Sequence, residues 1–179
     1  MSEEGQTSPR TFRIDADVIR GLEEEAKKQG ATVNGLTCRI LRKYVRIGVK
    51  VEQMGLVTLP RNDLIEIINA LDEESVAKIG YKMGSSTSKE VMLLLFGELS
   101  VDAFKQFFLM FLCGYMNWTT CYEVEGEDYL EIRASHNMGE KWSQFVKNYV
   151  EASLESTLGI RPEFKYVSNL SLVFRLKKL

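Results

Sequence analysis

Apolar residues recur with different periods along this chain, and the changes of period divide it. Residues 10–14 alternate, with Phe12 and Ile14 on one side of an extended segment and Thr11 and Arg13 on the other. Asp15 or Asp17 then offers a cap, and Val18, Leu22 and Ala26 recur at helical spacing until Gly30 ends the run. Thr32 is the expected N-cap of a second helix reaching about residue 47. Leu36, Ile40 and Tyr44 form its apolar face, widened by Cys38, Leu41 and Val45. Residues 49–59 read as a linker. Pro60 can open a helix over 61–71, and Asp72, Glu73 and Glu74 open another reaching about residue 84. The polar run 84–88 reads as a turn and cap before helices at 89–96 and 101–116.

From Trp118 the period shortens to two. Residues 119–124 and 129–134 alternate around Glu125-Gly126-Glu127-Asp128, a hairpin signal. Residues 138–158 form an amphipathic helix with Trp142, Phe145, Val146, Tyr149, Val150 and Leu154 near one face, closed by Gly159. Residues 164–167 and 170–176 make a second hairpin over Ser168-Asn169. The expected architecture is α+β: a short strand and two helices, then a helical segment leading into a β-β-α-β-β unit. Residues 1–9 read as a disordered tail, 10–48 as the first module, and 60–179 as the second domain.

Charge sharpens that division. The whole chain of 179 residues carries net charge −2. Residues 1–51 hold ten Lys and Arg against seven Asp and Glu, whereas the remainder holds thirteen against eighteen. A basic head on an acidic body suits a protein that presents one end to phosphate. Cys38, Cys113 and Cys121 form no CxxC pair, so buried free thiols are expected rather than a disulfide framework or a zinc ribbon. With one histidine, His136, no His-rich metal site is expected, and no cofactor either. The most apolar run, 107–113, is about two helical turns and far below the roughly 18 residues of a membrane span. No apolar leader segment precedes the first module, so a cytoplasmic location without membrane contact is expected.

The order strand, helix, glycine turn, helix in RTFRIDADVIRGLEEEAKKQGATVNGLTCRILRKYVRIG resembles the ribbon-helix-helix family of transcription regulators, the MetJ and Arc type. The likeness covers about a quarter of the chain. It implies a homodimer, or a higher even oligomer, whose two strands pair into an antiparallel ribbon that enters the major groove of double-stranded DNA. On that likeness Thr11 and Arg13 face the groove, with Arg10 at its edge, while Phe12 and Ile14 plug the dimer core. Arg13 would read guanine bidentately, and Thr11 would touch a thymine methyl or hydrogen-bond a base edge. Thr32, Val33 and Asn34 would offer a helix N-terminus to a phosphate, with Arg39 adding attraction. Pro9 stands where such strands often carry a further polar position. Gly35 interrupts the second helix at about 1 kcal/mol relative to alanine, which close helix packing at the dimer axis would explain. A small helical hairpin whose first strand merely joins a sheet is the plainer alternative.

The layout of helices before β-β-α-β-β resembles small-molecule sensor domains of the 4-vinyl reductase kind, without the cysteines such domains often carry near their end. The segment ASHNMGEKWS at 134–143 places Ser135, His136 and Asn137 before a helix that carries Trp142. These residues fit a site for an anionic or polar effector. They fit equally a simple cap, with Glu140 completing a capping box. Tyr115, Trp118 and Trp142 are candidates for a pocket wall or for core. No nucleophile–base pair, phosphate loop or metal spacing occurs, so an enzyme is not expected. The expected function is sequence-specific transcription regulation with an effector or assembly domain. Alternatives are an antitoxin-like interaction module, or a sensor that uses the first module only to dimerise.

Overall fold

A computed structural model describes residues 8–177; most of the expected N-terminal tail lies outside them. The chain is mixed α and β and forms two compact units, one ending at Val49 and the other beginning at Lys50.

The first unit holds α1 (Ala16–Lys28) and α2 (Val33–Lys43), followed by a π-helical stretch (Tyr44–Gly48). Gly30, with a left-handed φ of 61°, ends α1 where a side chain would be strained. Thr32 caps α2 as expected, its hydroxyl oxygen accepting from the Gly35 amide at 3.0 Å. Residues 8–15 adopt no regular secondary structure, so the expected strand at 10–14 is absent from the single chain. A five-residue segment has no stable strand conformation without a neighbour to take its backbone hydrogen bonds. Among the described residues of this unit, Ala26, Leu36 and Ile47 are the buried apolar side chains.

In the second unit, α3 (Val49–Glu52) shows that the expected linker begins with a helical turn; residues 53–60 are irregular. Next come α4 (Arg61–Asn69) and α5 (Glu73–Phe96), whose N-cap Asp72 accepts from the Ser75 amide at 2.8 Å. The expected break at 84–88 does not occur, and α5 runs through it unbroken. Two local facts explain this. The hydroxyls of Ser85 and Ser86 bond back to the Lys82 carbonyl, and that of Ser88 to the Gly84 carbonyl, so their polar groups are satisfied inside the helix. The glycines admit another backbone: a Cβ at Gly84 would stand 2.2 Å from the Tyr149 carbonyl oxygen, and one at Gly80 2.6 Å from that of Phe145. Packing that close outweighs the local preference for a turn.

α6 (Val101–Gln106) leads into a π-helical stretch (Phe107–Cys113). Four antiparallel strands follow in spatial order β1-β2-β4-β3: β1 (Thr120–Glu125), β2 (Tyr129–Ser135), β4 (Ser171–Lys177) and β3 (Glu163–Val167). Between the hairpins lies α7 (Glu140–Leu158), ended by Gly159. Leu130, Ile132 and Ala134 of β2 and Leu172, Phe174 and Leu176 of β4 are buried. With Phe104, Phe107 and Phe108 they make the core, in which Phe108 meets Phe174 edge-on at 5.3 Å. The alternate residues of the same strands hold Glu131, which accepts from Arg133 Nε at 2.7 Å and Arg175 Nε at 2.6 Å. These two guanidinium groups hold the Glu131 carboxyl below its ordinary range. Among the described residues no helix is long and apolar enough to cross a membrane.

The cysteines depart from expectation. Cys113 and Cys121 are joined in a disulfide, bridging the π-helical stretch and β1, and Cys38 is exposed on α2. The bonded pair stands eight positions apart in the sequence. The turn between them folds the chain back on itself, which no spacing motif announces.

Candidate functional site

Each unit holds one set of candidate residues. In the first, Arg10, Thr11 and Arg13 are exposed in the irregular segment before α1. Phe12 and Ile14 are exposed beside them at 68% and 43%, so the residues expected to fill a core are not buried within one chain. Val18, Ile40, Leu41, Tyr44 and Val45 extend this apolar exposure along both helices. At the start of α2, Thr32 and Asn34 are exposed and Val33 is half-buried. Arg39 lies one to two turns further on, where its guanidinium donates to Gln29 Oε1, and Gln29 in turn donates to Glu25 at 2.6 Å. Arg39 is thus held toward the end of α1, whereas Arg13 has no regular element to hold it.

In the second unit the candidates fall around two adjoining cavities. A small polar one of about 130 Å³ is bordered by Ser135, His136 and Asn137. His136 is 6% exposed, and both of its ring nitrogens are engaged. Nδ1 accepts from the Met138 amide at 3.3 Å, so Nε2 carries the proton and donates to Ser143 Oγ at 2.9 Å. Ser143 Oγ in turn donates a hydrogen bond to the Ser168 carbonyl, tying the start of α7 to the β3–β4 turn. Burial, and to a lesser extent the Arg61 charge, lower the His136 pKa and keep the ring neutral. The capping alternative fails: Gly139 occupies the N-cap of α7 with no side-chain cap. Gly139, with a left-handed φ of 84°, has no side chain to accept from the first amides of the helix.

The larger cavity, about 660 Å³, lies on the other side of Trp118. Leu64, Tyr115, Met116, Trp118, Met138 and Trp142 give it apolar walls, so Trp142, expected at the polar site, lines this one instead. Trp118 meets Trp142 edge-on at 5.4 Å and Tyr149 at 5.1 Å, and Trp142 Nε1 donates to the Trp118 carbonyl at 3.3 Å. Asn117, with φ at 54°, turns the chain so that Trp118 enters this cluster. Glu52, Arg61 and Asn117 supply the polar rim.

Sequence reasoning missed Arg61. It borders both cavities and a third, open depression beside the disulfide. An arginine in the first turn of a helix gives no sign of this in the sequence; only the fold brings Arg61 to line a cavity with Trp118 and Asn117.

No protein-family model matches the chain, and neither does any curated protein.

Proposed function

We propose that this protein is a sequence-specific DNA-binding transcription regulator, in which two copies pair residues 10–14 into a ribbon that enters the major groove. In this reading residues 60–179 bind an effector or assemble the protein. The observation that carries it is the apolar surface of the first unit. Phe12, Ile14, Val18, Ile40, Leu41 and Val45 are each at least 43% exposed, while three apolar side chains are buried. Forty-odd residues with so little burial do not hold a fold alone. A second copy supplies the missing half on both counts, since the same pairing covers the helices and gives the unpaired segment its strand neighbour. Thr11 and Arg13 then point away from the shared core, toward base edges.

The test is DNA binding by the wild type and Arg13→Ala across a salt series, with random and selected sequences. The proposal expects a steep fall of affinity with salt for both proteins, and loss of sequence preference in the variant. No binding by the wild type at low salt, or binding indifferent to Arg13, overturns it.

A further inference from the structure

The cavity around Trp118 has walls and a charge that define what it accepts. Its 660 Å³ falls within the roughly 300–1,000 Å³ of small-molecule sites. Aromatic and thioether walls favour a flat apolar body. At the rim stand one cation and one carboxylate, Arg61 and Glu52, and they differ. Glu52 already has an interaction within the chain. The Arg61 side chain makes no hydrogen bond or ion pair among the described residues, and its charge is felt at His136. A guanidinium with five free donors beside an apolar cavity is matched by a planar anion.

We infer that this cavity binds a small organic monoanion with a flat apolar body, its charged group paired to Arg61 and its body against Trp118 and Trp142. The inference rests on reading the second unit as an effector domain and gives that effector a chemical class. His136 is not the anion's partner: both ring nitrogens are committed to the Met138 amide and Ser143. Its neighbour Asn137 borders the small polar cavity with Arg61 and does not line the larger one.

The chain contains two tryptophans, and both line the cavity, so its intrinsic fluorescence reports on occupancy. Two dyes of nearly the same body separate charge from shape: anilinonaphthalene sulfonate, an anion, and phenylnaphthylamine, which is neutral. Both are titrated into the full-length protein and followed by energy transfer from tryptophan. The expected result is quenching by both dyes in the wild type. Arg61→Gln should weaken the sulfonate about tenfold or more and the neutral dye less than about twofold. Arg61→Lys, which keeps the charge, should recover most of the sulfonate affinity. Unquenched tryptophan in the wild type, equal loss of both dyes in Arg61→Gln, or no loss of either overturns the inference. No DNA enters this titration, so its failure leaves the groove-reading proposal standing, and failure of that proposal leaves the cavity standing.

Discussion

The two units of this chain meet the cost of ordering in opposite ways. The second buries Phe104, Phe107, Phe108, Trp142, Phe174 and a full complement of aliphatic residues between a helical layer and one face of its sheet. The first orders two amphipathic helices around Ala26, Leu36 and Ile47 and leaves its larger apolar residues uncovered. Conformational entropy costs roughly 1–2 kcal/mol per residue in both, and the apolar burial that offsets it lies mostly in the second. The difference teaches that the same hydrophobic periodicity has two meanings. In the second unit it accompanies a core; in the first it accompanies a face that stays exposed in the single chain.

Breaking the self-sufficient unit should have the largest effect. Gly84→Val places side-chain atoms where the Tyr149 backbone already lies, and a loss of about 3 kcal/mol or more is expected in urea unfolding. Next, Cys113→Ser with Cys121→Ser opens the cross-link that closes the turn before β1, and should lower stability by roughly 2–3 kcal/mol. Reduction of the wild type should reproduce that loss, and the reduced variant should show no further change. The first unit should respond to concentration instead. Ile40→Glu with Val45→Glu should weaken self-association about thirtyfold or more by sedimentation, with the second unit's unfolding unmoved. An unchanged sedimentation profile would make the exposed face an ordinary surface.

Acid offers a finer contrast, because the second unit holds buried titrating groups, His136 and Glu131. His136 has a lowered pKa from an ordinary 6.5, so the unfolded chain takes up a proton first and stability starts to fall below about that pH. Glu131 has a lowered pKa from an ordinary 4.5; its contribution is present above that value and disappears as pH falls through the lower folded one. Glu131→Gln should cost about 1–3 kcal/mol at neutral pH and flatten the acid limb below pH 4.5, as followed by circular dichroism. The smallest effect is expected from Thr32→Ala, about 1 kcal/mol from the lost cap on α2.

Much of the second unit is legible in the sequence, because strict alternation and a closing glycine describe local geometry that survives in the fold. Both hairpins, α7 and its buried face follow from period alone. The sequence misleads where tertiary contact overrides local preference. Gly84-Ser85-Ser86 looks like a break until α7 is laid against it, and Val49 to Glu52 looks like linker until it turns. The disulfide is invisible because it depends on a fold-back rather than a motif. The cavity is half legible: Tyr115, Trp118 and Trp142 stand out as large aromatic residues, but Arg61 resembles any surface arginine. For residues 10–14 the alternation is plain, yet the single chain leaves the segment irregular, because no neighbouring strand takes its backbone hydrogen bonds.

The glycine pair in α5 carries a further consequence. A helix advances about 100° per residue, and Gly80 and Gly84 are one turn apart on a single stripe beneath the α7 backbone. Exchanging residues on the outer side of α5 leaves that stripe in place. Inserting or deleting one residue between Val76 and Gly80 swings the downstream stripe out from under α7 relative to the Val76 end, and brings bulky side chains beneath it. This helix should therefore drift freely in composition along its solvent side while remaining fixed in length.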